Sequence, residues 1–165
     1  MSYDVQIKRH GLHALFDLKG AAADVWDWAG GTLPAQPERP NSRTVKGELD
    51  LFYIGRNHWI LRAPIEQEEA LAAALKPVDC RPDISIVLVS DTLTFFTVIG
   101  PQAADVMAVA SPLDLHPRQF AEDAVTYTEI FGLKALVQCC GGGFEFAVEQ
   151  SFGNLVVDYL ARTTA

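Results

Sequence analysis

The chain has 165 residues, of which 49% are hydrophobic and 21% charged, and its formal net charge is −8 at pH 7. A chain of this length can bury a core of its own without disulfides or a structural metal. Its 13 lysines and arginines are scattered rather than gathered into a basic stripe, which argues against nucleic acid as a partner.

The first half of the chain predicts, in order, a strand, a helix, a loop, a hairpin, a helix and a strand. The second helix is the clearest, because acidic residues fill its first turn while Lys76 and Pro77 end it. The closing strand is apolar on both faces, which predicts a central or covered position in its sheet. The predicted elements are a strand over 12–20, a helix over 21–30, a proline-rich loop over 31–47, strands over 48–54 and 58–63 around "GRN", a helix over 65–77 and a strand over 84–91.

The second half predicts a strand, a helix, three strands and a closing helix. In the first helix, Pro101 is expected at the first helical position, and one apolar face is predicted for Ala103, Val106, Met107 and Ala110. The closing helix has Ser151 as a candidate cap, with Phe152, Leu155, Val156 and Tyr159 at helical spacing. The elements are strands over 92–100, 124–131, 133–140 and 144–150, and helices over 101–110 and 151–162, with a glycine turn at 141–143.

The two halves resemble each other in matching order. "FDLKGAAADVW" resembles "FTVIGPQAADVM" with one residue inserted, and "GRNHWIL" resembles "GGGFEFA" when Trp59 is placed over Phe144. We predict an α+β fold, one domain over residues 1–165 made of two duplicated β-α-β-β-α units, with mixed or antiparallel sheets. The two halves are expected at about 12–90 and 91–162.

The stretch "SPLDLHPRQF" places Ser111, Asp114 and His116 within six positions. A catalytic triad needs side chains that converge from different elements, and a nucleophile on a strained turn. Prolines bound this segment on both sides and favour extended backbone, so Leu113 and Leu115 should face one side together. The favoured interpretation is a stiff connector that anchors two leucines in the core.

The other candidate sites also favour structural interpretations. His10, His13 and His58 lie in separate elements without the spacing of metal ligands. "CCGGGF" precedes a strand rather than a helix, so its glycines indicate a tight hairpin and not a phosphate loop. The carboxylates of "EQEE" cap a helix, and the aromatic residues Trp26, Trp28 and Trp59 are expected in the core rather than in a ligand platform. The residues therefore predict no catalytic, cofactor-binding or metal-binding set.

The cysteines and the fraction of apolar residues lead to predictions about the cellular location of the protein and about its contact surfaces. Cys80, Cys139 and Cys140 are odd in number and match neither a zinc site nor a disulfide framework, which predicts buried reduced thiols. Charges interrupt the first apolar residues, and nowhere do about 18 uncharged apolar residues follow one another. We expect a cytoplasmic protein with no membrane partner. The charged share lies below the usual figure of about 25%, which predicts an apolar surface that something covers.

Three segments together resemble a known family. "SDTLTFFTVIGPQAADVMAVASPLDLHPRQF", "YIGRNHWILRAP" and "GGGFEFAVEQSFGNLVVDYL" are similar to segments of the gamma subunit of heterotetrameric sarcosine oxidase. The most specific motif is Pro112 to Pro117, whereas the hairpin of Gly55 to Trp59 departs from the family's usual G-P-D-E-W. The likeness covers most of residues 12–162.

The resemblance implies a small subunit of a bacterial complex that oxidises sarcosine and passes the methyl carbon to tetrahydrofolate or releases it as formaldehyde. It implies a fold similar to the folate-binding, aminomethyltransferase-like module of the glycine cleavage T protein. It also implies that the alpha, beta and delta subunits are the partners, that FAD, FMN, NAD and the folate belong to those chains, and that this chain binds none of them.

Three alternatives stay open at this point. The chain could be a free-standing folate or one-carbon binding module, for which Asp91 or Asp114 would be the carboxylate that grips the pterin. It could also be the equivalent subunit of another N-methyl amino acid oxidase. A small hydrolase that uses Ser111 and His116 is the third and weakest hypothesis.

Overall fold

A computed structural model describes residues 3–165. Its helices are α1 (Ala22–Ala29), α2 (Glu68–Leu75), α3 (Ala103–Ala110) and α4 (Gly153–Thr164). Its strands are β1 (Gln6–Arg9), β2 (His13–Lys19), β3 (Arg43–Lys46), β4 (Leu49–Gly55), β5 (His58–Pro64), β6 (Ser85–Leu88), β7 (Leu93–Ile99), β8 (Val125–Ile130), β9 (Leu133–Cys140) and β10 (Gly143–Glu149). The chain divides into two units, Leu12–Asp91 and the segment up to Gly11 with Thr92–Ala165, called here the first and the second unit.

The first unit is a five-stranded antiparallel sheet in the order β3-β4-β5-β2-β6, with α1 and α2 packed on it. Its strands alternate, so one face of β2 and β5 enters the core while Asp17, His58 and Arg62 occupy the other face. Buried apolar side chains from the sheet and both helices form the core, among them Phe16, Leu18, Val25, Leu51, Trp59, Leu61, Leu71 and Leu75.

The second unit is a five-stranded antiparallel sheet in the order β1-β7-β10-β9-β8. The helices α3 and α4 supply buried side chains to its core. On α3 the predicted face is confirmed, since the four residues named for it are all buried. The core includes Phe96, Val98, Val106, Met107, Val137, Phe146, Val156 and Leu160.

The α+β class and the duplication are confirmed. Each unit has five strands, one more than the four predicted for each half and two more than the β-α-β-β-α unit. Both units run strand, helix, three strands, helix, and each adds an edge strand beside its first strand: β6 beside β2, and β1 beside β7. Trp59 lies opposite Leu18 and Phe144 lies opposite Val98, as the alignment requires. That the two units act as one domain stays a prediction.

The glycine that ends the first strand of each unit has the same backbone conformation. Gly20 has φ 139° and Gly100 has φ 138°, a region that side chains disfavour. A Cβ on Gly20 would lie 2.8 Å from Ile84 Cγ2, and a Cβ on Gly100 would lie 2.6 Å from the Asp4 carbonyl oxygen. In each unit the chain just before the edge strand passes close to this glycine, so the repeat extends to the two added strands.

Two predictions about strands are wrong, and a further strand was not predicted at all. β3 lies inside the segment predicted as a loop. It was not recognised because it is short, with only four residues paired to β4. β1 was not predicted, since its residues Gln6–Arg9 are all exposed and show no apolar alternation. β6, which was expected to be central or covered on both sides, is the last strand of its sheet and only Ile86 in it is buried.

Two helix starts also differ from prediction. Pro101 and Gln102 form a turn before α3, which begins at Ala103. Ser151 caps nothing, since α4 begins at Gly153 after a 3-10 turn over Gln150–Phe152. The buried face of α4 is Gly153, Val156 and Leu160, whereas Phe152 and Leu155 are exposed.

Gly153 explains the position of that buried face. Its missing side chain leaves room for Arg9, because a Cβ there would lie 2.1 Å from Arg9 Nη2. Arg9 in turn donates to Thr94 Oγ1 at 3.0 Å and to Asn154 Oδ1 at 2.9 Å. The start of α4 is thus held against β1 by a side chain that apolar spacing does not reveal.

Candidate functional site

The segment that contains Ser111, Asp114 and His116 is a turn held by its own side chains. Ser111 Oγ accepts from the Leu113 N–H at 3.2 Å, and Asp114 Oδ1 accepts from the His116 N–H at 3.0 Å. His116 Nδ1 accepts from the Arg118 N–H at 3.2 Å. A triad needs Nδ1 to donate to the aspartate, so this geometry does not form one.

The connector interpretation is confirmed at its two leucines. Leu115 is buried in the core of the second unit, and Leu113 packs against that core from the edge. Asp114 and His116 are exposed, as expected for the polar side of an extended segment. The local hydrogen bonds therefore fix the backbone so that the leucines point inward.

This connector forms one wall of a groove of about 550 Å³ in the second unit. Leu115 and Pro117 line it on that side, Gly100 and Pro101 line it at the turn before α3, and Gly142 lines it at the β9–β10 hairpin. These residues come from two of the segments that resemble the sarcosine oxidase subunit. Two of the three segments that carry the resemblance therefore meet at this groove.

The predicted glycine hairpin is confirmed between β9 and β10. Gly143 pairs with Cys140 across the turn and with Ile99 on β7. All three cysteines are thiols outside any disulfide, but they are half-buried rather than buried as predicted. Cys139 Sγ lies 3.9 Å from the Phe120 carbonyl oxygen, within a partly buried environment. Nothing in this geometry cradles a phosphate.

The three tryptophans belong to the core of the first unit, as predicted. Trp59 is fully buried and makes an edge contact with Trp26, with ring centroids 5.2 Å apart. Trp26 Nε1 donates to the Pro34 carbonyl at 3.0 Å, and Trp28 Nε1 donates to the Leu75 carbonyl at 2.7 Å. Tyr53 stacks on the other side of Trp59. The aromatic faces are used for packing.

The carboxylates proposed for a pterin do not fit that role. Asp91 and Asp114 lie in different units, both are exposed, and Asp114 is occupied by its own turn. Neither lines the groove described above. The carboxylate that does line this groove belongs to Glu122, which the sequence did not single out.

Sequence reasoning missed a buried polar row on the sheet of the second unit. Glu145 on β10 is buried, pairs across the sheet with Gln138 and Thr97, and accepts a hydrogen bond from Gln138 Nε2. Thr97 Oγ1 lies 3.2 Å from His10 Nε2. The available signal was a glutamate between two phenylalanines in "FEFAV". These partners satisfy the buried groups, and no group of metal-ligating side chains occurs among residues 3–165.

A second groove lies in the first unit, beside the edge strand β6. It has a volume of about 630 Å³, and its walls come from the end of α2, the turn over Pro77–Asp79 and β6. Val78 is 96% exposed there, Val87 47% and Leu88 42%. Part of the predicted apolar surface therefore lies at this sheet edge, where three exposed apolar side chains are neighbours.

Comparison with solved structures identifies the fold. The chain superposes on a chain of the heterotetrameric sarcosine oxidase from Corynebacterium sp. U-96 with a TM-score of 0.80 and 18% identity, covering 98% of this chain and 86% of that one. The two chains share one fold. The glycine cleavage aminomethyltransferase T from Bartonella henselae gives a TM-score of 0.73 at 15% identity, covering 96% of this chain and 46% of that enzyme.

The remaining comparisons do not change this assignment of the fold. The regulatory subunit of aspartate kinase from Thermus thermophilus gives a TM-score of 0.51 at 12% identity over 97% of this chain and 98% of that one. No protein-family model matches the chain. A segment of 76 residues, 46% of the chain, is 36% identical to arginine–tRNA ligases of Cronobacter sakazakii and Escherichia coli, of which it covers only 12%.

None of the helices within residues 3–165 has the length and apolar character needed to cross a bilayer.

Proposed function

We propose that the chain is a non-catalytic subunit of a sarcosine-oxidase-like complex, in the position of the gamma subunit. The observation that carries this proposal is the match to a chain of a heterotetrameric sarcosine oxidase over nearly the whole length of both chains. The aminomethyltransferase, by contrast, is about twice as long as the part that this chain matches. The oxidase chain is the better parallel in size as well as in fold.

The geometry supports a structural role for the most specific motif. Its serine, aspartate and histidine accept hydrogen bonds from nearby backbone N–H groups, so their chemistry is used to hold a turn. The alpha, beta and delta chains would then carry FAD, FMN, NAD and tetrahydrofolate, and this chain would contribute shape and contact surface. The complex would function in the cytoplasm.

A variant of His116 tests the non-catalytic role. In the source organism, deletion of the coding sequence should lower sarcosine-dependent oxygen uptake, and both the wild-type chain and a His116→Ala chain should restore it. The reason is that His116 is exposed and contributes one local hydrogen bond, whose loss costs only about 1 kcal/mol. A His116→Ala chain that accumulates normally but restores no oxygen uptake would contradict the proposal.

The second candidate function, a free-standing folate-binding module, is favoured by the fold shared with the aminomethyltransferase. Titration of the isolated chain with tetrahydrofolate in a calorimeter separates the two. We expect no heat of binding, because neither Asp91 nor Asp114 lines either of the two grooves described above. A saturable heat with one site per chain would instead favour the folate module.

The match to arginine–tRNA ligases covers too little of those enzymes to support a function, and the net charge of −8 opposes RNA binding.

A further inference from the structure

The strand β6 has an outer edge with unused backbone groups. The Val89 N–H donates to the Leu15 carbonyl at 2.8 Å, and Leu88 lies opposite Phe16. In an antiparallel pair, hydrogen-bonded and non-hydrogen-bonded positions alternate, so Val87 faces β2 while Ile86 and Leu88 direct their N–H and C=O groups away from it. Within residues 3–165 no further strand pairs with this edge.

The same edge lacks the protection that the other sheet ends possess. Proteins usually place charged side chains on exposed edge strands to prevent pairing with other chains. In the second unit, the edge strand β1 contains Lys8 and Arg9, and the edge strand β8 contains Glu129. The opposite edge strand of the first unit, β3, contains Arg43 and Lys46. The strand Ser85–Leu88 contains no charged residue, and the apolar groove of about 630 Å³ lies beside it.

The charges around β6 indicate what kind of segment fits. Asp79, Asp83 and Asp91 flank the strand on both sides and are exposed. Arg81 is held by Asp24 at 3.3 Å and by Asp83 at 3.4 Å, so its charge is already compensated. Lys76 also lines the groove, but the carboxylates outnumber the basic groups, so the rim keeps a net negative charge around an apolar centre.

A second copy of the chain fits this rim poorly. Two β6 strands paired antiparallel about Val87 would place Asp83 of one copy beside Asp91 of the other, and each copy carries a net charge of −8. Like charges placed together at an interface oppose association. A segment of a different chain, with apolar residues in the middle and lysine or arginine on both sides, complements the same surface.

We infer that the outer edge of β6 binds an extended segment of a partner subunit, which joins the sheet as a sixth strand beside Ile86 and Leu88. This inference rests on the proposed subunit role and names its contact surface. Main-chain hydrogen bonds hold the added strand, and its apolar side chains enter the groove next to Val78, Val87 and Leu88.

A proline at position 88 tests strand addition directly. Leu88→Pro removes an N–H that β2 does not use, and proline is tolerated on the outer side of an edge strand. Val87→Glu adds a charge at the same edge, and Val45→Glu is the matched control, because Val45 is a 58% exposed valine on β3 at the opposite end of the sheet. Each tagged chain is purified from source cells, and bound flavin per chain is read from its absorbance.

We expect Leu88→Pro and Val87→Glu each to lower the bound flavin about tenfold, which corresponds to the loss of about 1.4 kcal/mol of binding. Val45→Glu should retain the bound flavin, and thermal melts should show all three variants folded.

Full retention of flavin by Leu88→Pro and Val87→Glu would overturn the docking site while leaving the subunit role intact. Loss in Val87→Glu alone would overturn strand addition. A wild-type chain without flavin would overturn both proposals, and a wild-type dimer that Leu88→Pro converts to monomer would replace the partner segment by a second copy.

Discussion

Gly143→Ala should lower the free energy of unfolding by about 3 kcal/mol or more. Losses of this size are expected when a new side chain clashes with neighbouring atoms that must move to admit it. A Cβ at this position would lie 2.1 Å from the Val98 carbonyl oxygen and 3.0 Å from Ile99 Cα. Both atoms belong to the backbone of β7, which is held between β1 and β10 and cannot move aside cheaply. Urea unfolding followed by circular dichroism gives the free energy.

Gly141→Ala is the control for this prediction. Gly141 lies in the same hairpin, a Cβ there would meet nothing within 4 Å, and its φ is outside the left-handed region. Its stability should stay within about 0.5 kcal/mol of wild type. Equal stability of the two alanine variants would show that β10 does not approach β7 at Gly143 as described.

Met107→Ala should cost about 2 to 5 kcal/mol of stability, as large-to-small changes in a closed core do. Met107 is fully buried on the inner face of α3, among the side chains of the second unit's core. The cost combines lost burial with the cavity that remains. Thermal or urea unfolding of the purified variant measures it.

Val109→Ala on the same helix provides the comparison. Val109 is 61% exposed, so its truncation should change stability by less than about 0.5 kcal/mol. A Val109 variant that is as unstable as the Met107 variant would mean that α3 presents a different face to the sheet. Such an outcome would also reveal that something covers Val109 in solution.

The sequence predicts elements well where local pattern and burial agree. On α3 the helical spacing of apolar residues identifies the buried face. The sequence pattern also identifies the strand β2 and the hairpin of β4 and β5. The alignment of Trp59 with Phe144 also holds in the register of both sheets. These features depend on neighbours in sequence, which periodicity reports directly.

The remaining features depend on contacts between distant residues. β1 is polar and exposed, and only its pairing with β7, about 90 residues later, makes it a strand. The face of α4 depends on Arg9 lying against Gly153. The apolar strand β6 has the composition of a central strand, yet it lies at an edge with Val87 and Leu88 exposed. That last disagreement between pattern and position is the one that indicates a partner.

The candidate site shows the same division. The sequence predicts that the segment around Ser111, Asp114 and His116 is a connector, because prolines and alternating leucines are visible in it. It does not predict that this connector meets the turn before α3 and the glycine hairpin at one groove. Nor does it predict the pairing of Glu145 with Gln138, which requires the register of β9 and β10.

The most direct test of the proposed subunit role is the composition of the complex that the tagged chain forms in its source organism. Size-exclusion chromatography of the purified material, with flavin absorbance and sarcosine oxidation measured in each fraction, provides it. We predict that this chain co-elutes in constant ratio with larger flavin-containing chains that oxidise sarcosine, and that the isolated chain has neither flavin nor activity. Elution of the chain apart from every flavin-containing fraction, or sarcosine oxidation by the chain alone, would contradict the account.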